Sequence, residues 1–428
     1  MYKRRSRKSM DREVLKQVIA DQQMYHTPRD FFDRSQITMI RNFIDDPAIL
    51  IMSGLRRSGK STIQRALQKK YSKSDCYFNF DDDRLVRFQI DDFQTLLEVL
   101  VELFGKQSTF YFDEIQNIDG WERFIRRLYE QGNKIFITGS NAKLLSKELG
   151  THLTGRYIQF EVYPLSFKEV VLHKYPEGLN KKALSTNDVG TILGLFTDYL
   201  EHGGIPDYFR FRKPEYLKDL YEGILYRDII TRYNVSGEKS LRELVFYFAS
   251  NIGKEFSYTK LGKVVGLNSP HTARNYCSYL EQCYLCFFLS RYSHSLKKQI
   301  QYNKKCYMID PALIRKVGFR ISEDRGRLLE NIVFLHFKMQ NREVYFHKEQ
   351  KECDFVVREN NEIVQAVQVA SNLSDEKVRR REIDGLVEAM TAYGLEEGLI
   401  LTENQQETLK VDEFQINVVP IWKWLLEL

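Results

Sequence analysis

Residues 54–62 read Gly-Leu-Arg-Arg-Ser-Gly-Lys-Ser-Thr, the spacing G-x-x-x-x-G-K-[ST]. Two glycines at that separation let a backbone curl until successive N–H groups converge on phosphate oxygens. Lys60 adds a cation that reaches the β- and γ-phosphates, and the Ser61 hydroxyl is suited to hold Mg²⁺. Gly54, Arg57, Ser58, Gly59, Lys60, Ser61 and Thr62 are therefore the candidate nucleotide-binding residues. The flanks agree with this reading. Ala48 to Met52 is an apolar run of strand length, and Ile63, Ala66 and Leu67 share one face of a following helix. A helix that starts near Gly59 adds the positive end of its dipole.

Four further constellations fall where strands are expected to end. Thr109-Phe110-Tyr111-Phe112 leads into Asp113-Glu114, the Walker B arrangement. Asp113 is the candidate Mg²⁺-shell carboxylate, and Glu114 the candidate base for the attacking water. Acidic pairs also cap helices, but this one lies one strand–helix unit beyond the phosphate loop. Ile135 to Gly139 is a strand-like run leading into Ser140 and Asn141. Asn141, with Ser140 second, is the polar candidate at this strand end, or else an N-cap for a helix from Ala142. Arg156 precedes the run 157–162, where it could neutralise transition-state charge or pair with a carboxylate. Asp81-Asp82-Asp83 either lines the same site or is a solvated loop.

The elements that must position these groups alternate. Strands are expected at 48–53, 76–80, 109–113, 135–139 and 157–162, with helices at 60–71, 93–104, 121–131 and 142–149. Alternation implies an α/β fold with a parallel sheet, and such sheets bind ligands at the carboxyl ends of their strands. The chain's 428 residues suggest two to four domains. Its 43% hydrophobic and 29% charged content describes a soluble globular protein. No apolar run has membrane-helix length, and no apolar segment follows the basic start, so a cytoplasmic protein without a signal peptide or membrane contact is expected. A net charge of +6 permits nucleic-acid binding without demanding it. Six scattered cysteines argue against a disulfide framework. Cys277, Cys283, Cys286 and Cys306 could be drawn as a zinc site, but Cys286 lies in an apolar run and reads as a buried thiol.

Residues 1–35 form a basic segment, with Lys3 to Lys8 as a solvated or phosphate-binding arm and Val14, Leu15, Val18 and Ile19 at helical spacing. The nucleotide domain takes 36–164, and 165–235 reads as a helical lid broken at Gly203-Gly204 and Pro206. Residues 236–305 read as a winged helix. There Ser269 caps, and Pro270 opens, a recognition helix bearing His271, Thr272, Arg274 and Asn275. A wing follows, with Lys297 and Lys298 at its tip. The alternative is a protein-contact module; the basic residues favour DNA. Residues 306–428 alternate again, with strands at 306–310, 343–347, 353–357 and 363–369 and a helix over 325–339.

Here a resemblance becomes specific. The phosphate loop with two arginines, Phe112-Asp113-Glu114-Ile115-Gln116, Thr138-Gly139-Ser140-Asn141, Leu153-Thr154-Gly155-Arg156 and Tyr163-Pro164-Leu165-Ser166-Phe167 occur in this order. With His202 to Pro206, Gly326 to Asn331 and Glu352 to Phe355, they resemble a widespread prokaryotic family of AAA-type ATPases. The resemblance covers nearly the whole chain. It implies ATP and Mg²⁺ as cofactors, Asn141 as a sensor of the γ-phosphate and Arg156 as an arginine finger. It also implies self-assembly, with a ring machine and a signalling switch both open. DNA, branched DNA included, is the expected partner. The family's carboxy-terminal region ends in a restriction-endonuclease-like fold, and residues 306–428 resemble the PD-(D/E)xK core. Glu330 and Asp354 match its first two ligands. The third position reads Gln368-Val369-Ala370, without the charged ligand or the lysine that metal-assisted hydrolysis needs. A degenerate nuclease site used for DNA binding is therefore expected.

Overall fold

Ile49–Gly54 forms strand β1, buried at all six positions. It belongs to the first of two compact units, Met1–Val162 and Tyr163–Leu428. The computed structural model describes residues 10–24, 31–71, 76–141, 153–179, 181, 183–267, 269–319 and 325–427. The expected basic arm at 3–8 and the expected helix at 142–149 lie outside the described residues.

Around β1 lie β2 (Cys76–Asn79), β3 (Thr109–Asp113), β4 (Lys134–Gly139) and β5 (Tyr157–Val162). Their order is β2-β3-β4-β1-β5, parallel throughout. Side chains alternate across the pleat, so each face gathers its own core. Ile49, Ile51, Phe78, Phe112 and Ile137 pack with residues of α4 (Asp92–Phe104) and α5 (Trp121–Glu130). Leu50, Met52, Tyr111 and Phe136 pack with residues of α2 (Ser35–Arg41) and α3 (Lys60–Tyr71). One expectation changes here. The 1–35 segment is not separate from this domain: helix α1 (Arg12–Gln23) places Leu15, Val18 and Ile19 in the first core. An apolar stripe at i, i+3 and i+4 gains by burial, which docks this helix on the sheet.

The second unit opens with α6 (Phe167–Lys174), α7 (Pro176–Leu179), α8 (Thr186–His202), α9 (Pro206–Phe211) and α10 (Pro214–Gly223). Capping boxes at Ser166/Glu169 and Ser185/Asp188 start α6 and α8. A π-helix, Ile224–Thr231, then buries Ile224, Leu225 and Ile229. Next come α11 (Glu238–Ser250), β6 (Glu255–Phe256), α12 (Tyr258–Val264), α13 (Pro270–Gln282), β7 (Cys286–Ser290), α14 (Leu296–Gln301) and β8 (Lys304–Met308). The three strands form an antiparallel sheet ordered β6-β8-β7.

Two expectations are corrected in this module. The wing tip that carries Lys297 and Lys298 is the short helix α14, capped by Ser295, because Leu-Lys-Lys-Gln-Ile-Gln are helix formers with no glycine to turn a hairpin. The boundary at 305/306 cuts through β8, whose Cys306 sits opposite Phe288 and whose Met308 sits opposite Cys286. Strand pairing therefore ties this stretch to the preceding module.

The last module follows α15 (Pro311–Val317). It contains α16 (Arg325–Met339), β9 (Glu343–Lys348), β10 (Glu352–Glu359), β11 (Glu362–Val369), α17 (Glu376–Tyr393), β12 (Glu397–Thr402), β13 (Glu407–Val411), β14 (Phe414–Pro420) and α18 (Ile421–Leu426). The sheet order is β13-β14-β12-β11-β10-β9, antiparallel over β9 to β11 and parallel from β11 through β12 to β14. Leu386, Ala389 and Met390 of α17 pack on Val356, Ala366 and Ile400. All six cysteines are buried and free. Among the described residues no helix is long and apolar enough to cross a membrane.

Candidate nucleotide-binding site

The loop leaves β1 at a point where only glycine fits. A Cβ on Gly54 would lie 2.1 Å from the Val162 carbonyl oxygen of β5. The chain then passes through φ +63 at Arg57 and +98 at Gly59 before α3 begins at Lys60. A left-handed arginine is uncommon, and such outliers cluster at ligand clamps. Lys60 is nearly buried; its Nζ donates to the carbonyls of Gly54 at 3.1 Å and Leu55 at 2.9 Å. The same nitrogen lies 3.9 Å from Glu114 Oε1. Ser58 Oγ is buried with no hydrogen-bond partner among the described residues. A buried hydroxyl without a partner is costly, so this atom and the adjacent α3 terminus fit an anionic ligand. Ser61 and Thr62 occupy the first turn of that helix.

Parallel pairing brings the other strand ends alongside. Ser53 is level with Gly139, and Asn79 with Asp113. Asp113 is fully buried. It accepts a hydrogen bond from Tyr77 Oη at 2.5 Å and another from Thr138 Oγ1. Glu114 takes φ +51, and its N–H donates to the same Thr138 oxygen at 3.1 Å. One hydroxyl thus uses both its donor and its acceptor to fix the two acidic residues. Gln116 Nε2 donates to Glu114 Oε2 at 2.5 Å and reaches Ser140 Oγ at 3.5 Å. Burial first, and then the Asp113 charge, hold the Tyr77 hydroxyl well above its ordinary pKa, so it remains a donor. The Arg65 guanidinium stacks 3.2 Å over the Tyr77 ring.

Asn141 and Ser140 are buried at the end of β4; the helix that either would cap lies outside the described residues. Asp81 does approach the loop: Arg56 lies 3.8 Å from it, and Asn117 Nδ2 donates to it at 3.3 Å. Arg156 is different. The Ile49 N–H donates to its carbonyl at 2.8 Å, so its backbone lies beside the start of β1. The loop leaves from the other end of that six-residue strand, roughly 16 Å away at 3.3 Å per residue. Within one chain Arg156 is therefore not brought to the site.

Sequence reading missed Tyr77, Thr138 as a clamp, and Arg34, which is 3% exposed and donates to the Ser58 carbonyl at 2.9 Å. Tyr77 reads as one more core aromatic of a strand; no local pattern marks its partner.

In the second unit, His271 and Arg274 are exposed on the first turns of α13, with Thr272 and Asn275 half-buried beside them. Lys297 and Lys298 are exposed on α14. Glu330, Asp354 and Gln368 are brought together. The Gln368 side-chain oxygen accepts from the Asp354 N–H at 3.0 Å, and Lys305 bridges Glu330 and Asp354. The lysine absent after Gln368 is thus matched by one from β8, which the sequence pattern gave no reason to place there.

Residues 46–171 match an AAA domain family. Residues 193–324 and 325–424 match two domains of unknown function, DUF8612 and DUF4143. The uncharacterized protein MJ1544 of Methanocaldococcus jannaschii is 33% identical over 399 residues, covering 88% of each chain. An uncharacterized protein of Haemophilus influenzae is 29% identical, over 90% of this chain and 96% of its own. Among solved structures, the Walker-type ATPase PABY2304 of Pyrococcus abyssi is similar at 17% identity and a TM-score of 0.45, over 68% of this chain and 97% of that one.

Proposed function

We propose, for a chain that belongs to one family with MJ1544, the function of an ATP- and Mg²⁺-dependent ATPase that binds DNA and remodels it or moves along it. The observation that carries the reading is the meeting of loop and carboxylates, with Lys60 Nζ 3.9 Å from Glu114 at the carboxyl ends of β1 and β3. Gly54, Arg57, Ser58, Gly59 and Thr62 would form the cradle, with Lys60 as the cation for the phosphates. Ser61 and Asp113 would hold Mg²⁺. Bound MgATP supplies the scissile phosphoanhydride and the metal's Lewis acidity. Glu114 orients the attacking water and takes its proton, while Gln116 and Thr138 fix its position. Asn141, with Ser140, senses the γ-phosphate. Since Arg156 lies at the far edge of its own sheet, a finger role requires a second copy of the chain, which favours a homo-oligomer, a ring included.

The α11–β6–α12–α13–β7–β8 module supports a winged-helix reading, with His271, Thr272, Arg274 and Asn275 on the recognition helix and Lys297 and Lys298 reinforcing phosphate contact. The α16–β9–β10–β11–α17–β12 order supports a nuclease-like fold that contacts DNA without cutting it; Glu330, Asp354 and Gln368 are its degenerate site.

A second reading is an ATP-gated switch that docks a protein. It draws on Leu296 and Ile300, which are 70% and 57% exposed on α14 beside the two lysines. ATP turnover measured with and without duplex, single-stranded and four-way DNA tests the proposal. Stimulation by one of these forms supports the DNA motor, and a rate indifferent to all three sinks it in favour of the switch.

A further inference from the structure

Lys305 has a side chain only 2% exposed. Its Nζ lies 3.1 Å from Glu330 Oε1, 2.9 Å from Glu352 Oε1 and 3.0 Å from Asp354 Oδ1. These carboxylates come from α16 and β10, whereas the lysine comes from β8 of the preceding three-stranded sheet. Tyr307 Oη donates to the same Glu330 oxygen at 2.6 Å, and the Val369 N–H donates to Asp354 Oδ2 at 3.1 Å. Lys348 Nζ donates to Glu352 Oε2 at 3.0 Å, so each carboxylate is oriented by something other than the Lys305 ammonium alone. Gly253 adds a steric observation. A Cβ there would lie 2.7 Å from Glu330 Oε2, so the loop before β6 leaves room for this carboxylate.

Burying one ammonium is costly unless anions surround it. Here burial opposes the charge, and Glu330, Tyr307, Asp354 and Glu352 together outweigh it; the ammonium stays protonated well above the usual lysine range. The cluster opens into a cavity of about 790 Å³. Six basic and five acidic side chains line it, Lys305 among them. The lining is thus close to neutral before any ion is added. Three carboxylate oxygens converging on one point are also the donor set of a hard divalent cation, yet that point holds an ammonium. Among the described residues no group of three or more His, Cys, Asp or Glu side chains could hold a metal ion.

We propose that Lys305 is an internal cation standing where a divalent ion would sit among Glu330, Glu352 and Asp354. It keeps this pocket free of metal, and removing it uncovers a Mn²⁺ or Mg²⁺ site. The inference is independent of the ATPase reading, since every residue it uses lies in the second unit.

The test is Mn²⁺ binding to the full chain without nucleotide, counted by electron paramagnetic resonance and titration calorimetry. Wild type and Asp354→Asn should bind the same number of ions, because the cluster takes none in either. Lys305→Met should bind one further Mn²⁺ per chain, and Lys305→Met with Asp354→Asn should lose it again. Lys305→Gln serves the same purpose if the methionine variant does not give a cooperative thermal transition. An extra Mn²⁺ in wild type relative to Asp354→Asn would overturn the proposal, as would folded Lys305 variants that gain no ion.

Discussion

Replacing Tyr77 by phenylalanine removes one oxygen atom and keeps the ring. The ring is 5% exposed and lies under the Arg65 guanidinium, so packing and the cation–π contact survive. What disappears is the hydrogen bond to Asp113 Oδ2, with the hydroxyl's weaker contact to Arg65. A hydrogen bond to a charged group contributes ~1.5–3 kcal/mol, equivalent to about 10- to 150-fold in an equilibrium or rate constant. Asp113 then keeps only Thr138 among the side-chain donors described here, and one donor does not fix the plane of a carboxylate. On the proposed role of Asp113, the loss is felt where Mg²⁺ is held. Half-saturating Mg²⁺ in steady-state ATP hydrolysis should rise by about tenfold or more, with turnover at saturating Mg²⁺ falling less. Affinity for ATP in the presence of EDTA should be unchanged, because the loop is untouched. The assay is the hydrolysis rate titrated with Mg²⁺, alongside nucleotide binding and thermal unfolding. If the variant melts lower yet keeps the wild-type Mg²⁺ dependence, Tyr77 holds the fold and not the metal-binding carboxylate, and the reasoning fails.

Three other expectations can be checked with the same preparation. Glu114→Gln should retain ATP and hydrolyse it at least 100-fold more slowly, a cost on the scale of general-base loss; near-normal turnover would remove Glu114 from the base role. Arg156→Ala should bind ATP normally and turn it over slowly, and mixing it with Glu114→Gln should restore activity through sites that combine the two chains. No recovery on mixing would leave Arg156 a structural residue. Asp310 is wholly buried and accepts from the N–H groups of Gly204 at 2.7 Å and Ala312 at 2.8 Å; burial outweighs these donors and raises its pKa to about 7. A raised acid pKa gives stability that is full at low pH and is lost as pH climbs from the unfolded value near 4 towards 7, on the order of a few kcal/mol. Thermal melts from pH 5 to 8 should therefore slope less in Asp310→Asn than in wild type, and equal slopes would count against the assignment.

The loop and the Asp-Glu pair were legible because their chemistry is local. Gly54 to Thr62 spans one turn and the start of one helix, and the flanking runs announce strand and helix by their periods. The groups that fix those residues are distant in sequence. Tyr77 lies 36 positions before Asp113, and Lys305 lies 49 before Asp354; only strand order joins them. Ordinary helix and strand residues at both positions gave no reason to single them out. The α14 tip differs for another reason: a basic run after an apolar strand suggests a wing, although 296–301 lacks the turn residues of a hairpin and forms a helix.

Arg156 is the instructive case, because the signal was present in the sequence. The run 157–162 reads as a strand of a parallel sheet, and ligands in such sheets gather at carboxyl ends. A residue immediately before a strand must then lie at the amino edge. The pairing of Ile49 with Tyr157 puts it there. A guanidinium side chain reaches well short of the roughly 16 Å that separates that edge from the loop. If Arg156 acts on nucleotide at all, the nucleotide belongs to another copy. This converts a question of residue role into one of assembly. Turnover per chain should then rise with protein concentration and level off once the oligomer forms, while an intrinsically monomeric enzyme would show a constant specific rate. A constant specific rate across dilution, with Arg156→Ala still slow, would contradict the trans assignment and leave the arginine acting through the fold of its own subunit.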